Sequence, residues 1–98
     1  MKIKWGVIGC GGIADRRTMP GMMLAENADL VAVMELNKSF AENCKEKYNA
    51  KYAFDNIEEL LSIDEIQAVY IASPVFCHKE QAMAAADAGK DILIENMF

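Results

Sequence analysis

The sequence predicts a doubly wound α/β domain: a five-stranded parallel sheet in the order 3-2-1-4-5 with helices on both faces. Three observations carry that expectation. Apolar runs of strand length alternate five times with segments of helical character, and such alternation requires parallel strands joined by right-handed crossovers. The first run, Ile3 to Ile8, empties directly into Gly9-Cys10-Gly11-Gly12-Ile13-Ala14, a strand-to-helix turn rich in backbone freedom. At 98 residues there is room for one domain with one core.

Ile3 to Ile8 is rich in β-forming residues and carries only Lys4 as a charge, which suits a central strand covered on both faces. In the turn that follows, Gly9, Gly11 and Ala14 fit Gly-x-Gly-x-x-Ala. The first glycine turns the chain, the second lets backbone approach a diphosphate, and the small third residue allows close helix-strand packing. A helix beginning near Ile13 would aim its free N–H groups and positive dipole end at that diphosphate. The motif alone is weak, since a glycine turn joining a strand to a helix needs no ligand. The helix is expected from Ile13 to Asn27, kinked or restarted at Pro20-Gly21 with Thr18 as a cap. Met19, Met22, Met23 and Leu24 there read as packing residues. Arg16 and Arg17 either reach a phosphate or stay solvated.

The second strand, Leu30 to Met34, ends at Glu35, roughly 20 residues beyond the glycine motif, where a ribose-binding carboxylate belongs. A carboxylate accepts hydrogen bonds from both ribose hydroxyls and repels a 2′-phosphate, so NAD is expected over NADP. The alternative is a solvated glutamate at a strand end, paired with Lys38. Asn37 or Ser39 then caps a helix that sets Phe40, Cys44 and Tyr48 on one face and stops at Asn49. Lys51 to Phe54 is a short strand near a sheet edge, and Asp55 caps a brief helix with Ile57, Leu60 and Leu61 inward. Ala68 to Ala72 is a wholly apolar strand halted by Ser73-Pro74. Its carboxyl end, with Ala72, Ser73 and Pro74, should join the glycine turn at the topological switch point. An alanine-rich helix from His78 to Ala88 stops at Gly89, and the last strand, Asp91 to Glu95, brings Glu95 to the same edge.

Composition narrows the functional classes. A net charge of −5 argues against nucleic acid as the main partner, because phosphate recognition there needs a basic face. Cys10, Cys44 and Cys77 are odd in number and widely spaced, which indicates neither a disulfide framework nor a metal site and fits a reducing cytoplasm. No apolar run is long enough to cross a membrane.

Val7 to Ala14, the block Ile71-Ala72-Ser73-Pro74 with His78-Lys79-Glu80-Gln81-Ala82, and Ile92-Leu93-Ile94-Glu95 together resemble the N-terminal, Rossmann-like nucleotide-binding domain of the Gfo/Idh/MocA oxidoreductases. The resemblance covers essentially residues 1–98. It implies hydride transfer between NAD(P) and a carbon–oxygen centre, often on a sugar or cyclitol, with a separate α+β domain binding substrate and supplying a catalytic histidine. It also implies that Gly9, Gly11, Gly12 and Ile13 hold the pyrophosphate and Glu35 the adenosine ribose. Ala72, Ser73, Pro74 and His78 would line the cleft, and Glu95 would lie beside the nicotinamide ribose. His78 is the one histidine, and its place near a helix start favours cofactor contact or helix capping over general-base work.

The family continues from its glutamate as Glu-Lys-Pro, whereas this sequence reads Glu95-Asn96-Met97-Phe98. The expectation is therefore a truncated cofactor-binding portion, without a substrate domain, that does not turn over alone and self-associates through the exposed edge of its last strand. A stand-alone nucleotide-binding or regulatory module and a non-binding remnant are the alternatives. A methyltransferase, which shares the glycine turn and the acid after the second strand, is disfavoured by Ser73-Pro74 and Glu95.

Overall fold

The computed structural model of the chain describes residues 2–9, 28–73 and 75–94. The expected helix from Ile13 to Asn27, and the site candidates Gly11, Gly12, Ile13, Pro74 and Glu95, lie outside the described residues. Along the chain run β1 (Ile3–Ile8), β2 (Ala28–Met34), α1 (Lys38–Tyr48), β3 (Tyr52–Phe54), α2 (Ile57–Leu61), β4 (Ala68–Ile71), α3 (Val75–Asp87) and β5 (Asp91–Ile94). The strands form one sheet in the order β3-β2-β1-β4-β5, every pairing parallel, as the alternation predicts.

Two apolar layers sandwich the sheet. Val7, Leu30, Val33, Ala53, Tyr70 and Ala72 meet Ala41, Cys44 and Tyr48 of α1. On the opposite face Ile8, Val31, Ala32, Met34, Val69 and Ile71 meet Leu60, Ile66 and Ala85. Period-two alternation would put Val31 and Ala32 on opposite faces. The register slips between Trp5 and Gly6, where their β2 partners are Leu30 and Ala32, and this bulge delivers both residues to the same layer. Gly6 makes room in that layer. A Cβ there would lie 2.9 Å from Leu60 Cδ2, so the missing side chain is what lets α2 seat on the central strand.

Three local expectations are corrected. Phe40 is 58% exposed, and Ala41 rather than Phe40 joins Cys44 and Tyr48 in the core. Positions four apart drift round a helix with 3.6 residues per turn, and the stripe that follows the sheet runs 41, 44, 48. Asn56 rather than Asp55 caps α2: its Oδ1 accepts from the Glu59 N–H at 2.9 Å, while its Nδ2 donates to Glu59 Oε1 at 2.6 Å, a side-chain pair that holds the cap in place. The third is the start of α3, at Val75 instead of His78, because a proline does not delay a helix that begins immediately after it. The choice between Asn37 and Ser39 falls to Asn37, whose Oδ1 accepts from the Phe40 N–H at 3.2 Å. Asn49 stops α1 in the left-handed region at φ 58°.

At the amino ends of the strands, Glu65 ties two elements together. It accepts from the Lys4 ammonium on β1 at 3.2 Å and from Lys51, just before β3, at 3.3 Å. The hydrogen bond from Lys4, then that from Lys51, holds the Glu65 carboxyl below its ordinary value. A carboxyl with a depressed folded pKa adds stability above its unfolded value and loses it as pH falls through the folded one. Glu65→Gln is therefore expected to lower the thermal midpoint at neutral pH, with wild type and variant converging below about pH 4, read by circular dichroism melts across pH. A difference that persists at low pH would mean the pairing contributes nothing.

Candidate functional site

The carboxyl ends of β1, β2 and β4 meet at one edge of the sheet. The Gly9 N–H donates to Met34 O at 2.8 Å, and the Ala72 N–H to Ile8 O at 2.9 Å, so the residues after each strand lie side by side. Gly9 has φ +80°, and a Cβ built on it would stand 2.6 Å from Ser73 N and 2.8 Å from Ser73 Cα. Both the backbone angle and the space thus require glycine here. The chain leaving β1 is pressed against the chain leaving β4, which is the switch point of a doubly wound sheet and the place where such folds bind ligands.

The Ser73 loop is held from α3. Ser73 is 7% exposed, and its hydroxyl donates to Gln81 Oε1. One turn earlier on the same helix, His78 Nε2 lies 2.7 Å from the Ser73 carbonyl. A carbonyl only accepts, so Nε2 carries the proton of this contact. His78 therefore does not cap the helix, since a cap accepts from free N–H groups; it braces the loop before the helix. Nothing in the sequence alone gives Gln81 this part; the three-residue spacing from His78 puts both side chains over the same loop.

Glu35 follows β2, its amide donating to Phe54 O at 3.1 Å and its Oε1 accepting from the Leu36 N–H at 3.2 Å. Lys38 donates to the Ala53 carbonyl at 2.9 Å and lies 3.9 Å from Glu42 Oε1. Beside this loop runs a groove of about 340 Å³, apolar along Met34, Leu36, Ile57 and Ala84, with Cys77 and Gln81 on its α3 side and Asp55, Glu58 and Glu80 at its rim. Leu36, which lines this groove, is 78% exposed, a large apolar side chain left in water. The structure thus brings Gly9, Glu35, Ala72, Ser73 and His78 to one edge. Among the described residues, no group of three His, Cys, Asp or Glu side chains could hold a metal ion, and no helix is long and apolar enough to cross a membrane.

These features suit a dinucleotide: the first turn has no room for a side chain, a carboxylate follows the second strand, and a groove with apolar and polar lining runs beside it. Residues 3–96 match an oxidoreductase family with an NAD-binding Rossmann fold, Gfo/Idh/MocA. Glucose-6-phosphate 3-dehydrogenase from Bacillus subtilis is 40% identical over 92 residues, covering 94% of this chain and 25% of that protein. The scyllo-inositol 2-dehydrogenase (NADP(+)) of the same organism is 36% identical over 96 residues, covering 98% of this chain and 29% of that one. Among solved structures, a 3-ketoreductase from Actinomadura kijaniata in complex with TDP-benzene and NADP superposes with a TM-score of 0.93 at 30% identity, covering 98% of this chain and 30% of that one. The chain spans between a quarter and a third of the length of these relatives.

Proposed function

The chain belongs to the Gfo/Idh/MocA oxidoreductases through their NAD(P)-binding Rossmann domain, and from that premise we propose that residues 1–98 form a unit that binds NAD in preference to NADP. The observation that carries the reading is Gly9 pressed on Ser73 with no space for a Cβ, at the edge that also presents Glu35. In this reading Gly9, Gly11, Gly12 and Ile13 cradle the diphosphate through backbone N–H groups. Glu35 accepts from the adenosine ribose hydroxyls, and the groove between Leu36, Ile57 and Cys77 takes the adenine. Ala72, Ser73, Pro74 and His78 wall the cleft, His78 by bracing the Ser73 carbonyl. Glu95 stands by the nicotinamide ribose. The bound cofactor supplies or accepts the hydride.

Two relatives point to the phosphorylated cofactor, one by its name and one by its bound NADP, so the preference for NAD rests on the charge of Glu35. A 2′-phosphate placed beside that carboxylate sets like charges against each other. Calorimetric titration of the purified chain with NADH and with NADPH tests the reading. Tighter binding of NADH supports it; a folded chain giving no heat with either cofactor overturns it in favour of a non-binding remnant.

In the same reading the whole protein oxidises or reduces a carbon–oxygen centre of a sugar or cyclitol. These residues alone bind cofactor without turnover, since orientation of substrate against cofactor supplies much of the rate. Among the described residues β5 is the outer strand of the sheet on its side, and Leu93 on it is 52% exposed, an edge of the kind that recruits another chain. The 98-residue chain is expected to scatter light as a dimer or larger species at micromolar concentration; a monomer mass would defeat that part.

A further inference from the structure

Ser73 is gripped at two points from a single helix. Its hydroxyl donates to Gln81 Oε1, and its carbonyl accepts from His78 Nε2 at 2.7 Å. Both partners stand on α3, which Ala85, fully buried, and Ala82 seat on the sheet. A helix fixed by its apolar side is a firm anchor for a loop that carries function. The position of Ser73 matters to its neighbour, because its N and Cα are the atoms that leave no space for a Cβ on Gly9. Gln81 also lines the groove beside Leu36, with Cys77 one turn before it and Ala84 just after it on α3. It therefore borders both the groove and the residue that packs on the first turn. The Ser73 hydroxyl, on a residue only 7% exposed, has little water to turn to once Gln81 is gone.

We propose that Gln81 is a positioning residue for the dinucleotide. Through the Ser73 hydroxyl it fixes the loop after β4 against Gly9, so that the groove wall and the diphosphate turn keep the separation that one extended ligand spans. It acts through Ser73 rather than by touching the ligand. His78 supplies the second grip; with Gln81 removed, the loop is left to pivot on the Ser73 carbonyl alone. This rests on the reading of this edge as a dinucleotide site.

The test is a double-mutant cycle on the 98-residue chain. Wild type, Gln81→Leu, Ser73→Ala and the pair are titrated calorimetrically with NADH at a temperature where circular dichroism shows each one folded, with Gln81→Glu as the conservative variant. Gln81→Leu is expected to raise the Kd about tenfold, the order that follows when a buried hydroxyl loses its partner. In the Ser73→Ala background the same change should move the Kd by less than about twofold, because the contact through which it acts is already gone. Gln81→Glu keeps an acceptor oxygen and should bind NADH within about threefold of wild type. Ser73→Ala breaks the contact from the other side and should weaken binding to a similar extent; it carries the test where Gln81→Leu does not fold, and an unchanged Kd then overturns the proposal. A tenfold loss that persists in the Ser73→Ala background makes Gln81 a direct ligand contact and overturns it. So does a lowered melting point with unchanged Kd, which leaves Gln81 a packing residue, and so does a loss that Gln81→Glu does not restore. In each of these cases wild type still binds NADH and the reading of the site stands. Failure of folded wild type to bind NADH removes that reading, and the proposal with it.

Discussion

Gly9→Ala is expected to abolish measurable dinucleotide binding and to lower stability by about 3 kcal/mol, the combined order of a non-glycine residue held at positive φ and an overpacked contact. At φ +80° a Cβ meets Ser73 N at 2.6 Å, Ser73 Cα at 2.8 Å and the Ala72 carbonyl carbon at 3.0 Å. All three are backbone atoms, so no side chain can rotate away. Relief requires β1 and β4 to separate at their carboxyl ends, where Ala72 N–H donates to Ile8 O, the junction on which the proposed diphosphate cradle rests. Two measurements separate the effects: a urea melt for stability, and NADH titration at a temperature where the variant is folded. Normal binding by the folded variant would show that the close approach of the two loops serves packing alone.

Glu35→Ala is expected to have the second largest effect, raising the Kd for NADH by roughly 10- to 100-fold. A hydrogen bond to a charged acceptor contributes on the order of 1.5–3 kcal/mol, and each 1.4 kcal/mol is about a factor of ten. The same change removes the like charge facing a 2′-phosphate, so NADPH should bind more tightly than to wild type, inverting the order of the two cofactors. Glu35 is partly exposed at the end of β2, outside both apolar layers, so its removal should leave the thermal midpoint within a few degrees, as surface substitutions do. Parallel losses for NADH and NADPH would place the carboxylate away from the ribose.

Much of this was legible in the chain itself. Ile8, Val33, Val69 and Ile71, each fully or almost fully buried, belong to runs whose continuous apolar character identifies covered parallel strands. The order of the sheet followed from alternation and handedness. The convergence of Gly9, Glu35 and Ser73 was also readable, because in such a fold the residues after the strands share an edge whatever their separation in sequence.

What escaped the sequence has a common cause. Phe40 and Ala41 are both apolar neighbours, and which one enters the core depends on how α1 rolls against the sheet, a rotation of about 100° per residue. Asp55 and Asn56 are equally good caps with an acid three residues on, and the two hydrogen bonds that tie Asn56 to Glu59 decide between them. Neither Gln81 nor Lys38 announces its partner. The first grips a hydroxyl eight residues back, the second a carbonyl on a neighbouring strand.

The sequence by itself determined the family, the parallel sheet and the edge at which Gly9, Glu35 and Ser73 meet, because those depend on periodicity and on residue types that backbone geometry demands. Only the tertiary structure decided the bulge that turns Val31 and Ala32 to one face, the bracing of Ser73 by His78 and Gln81, and the hydrogen bond from Lys38 to Ala53. These depend on distances between elements, and such distances are set by packing rather than by any local preference of the chain.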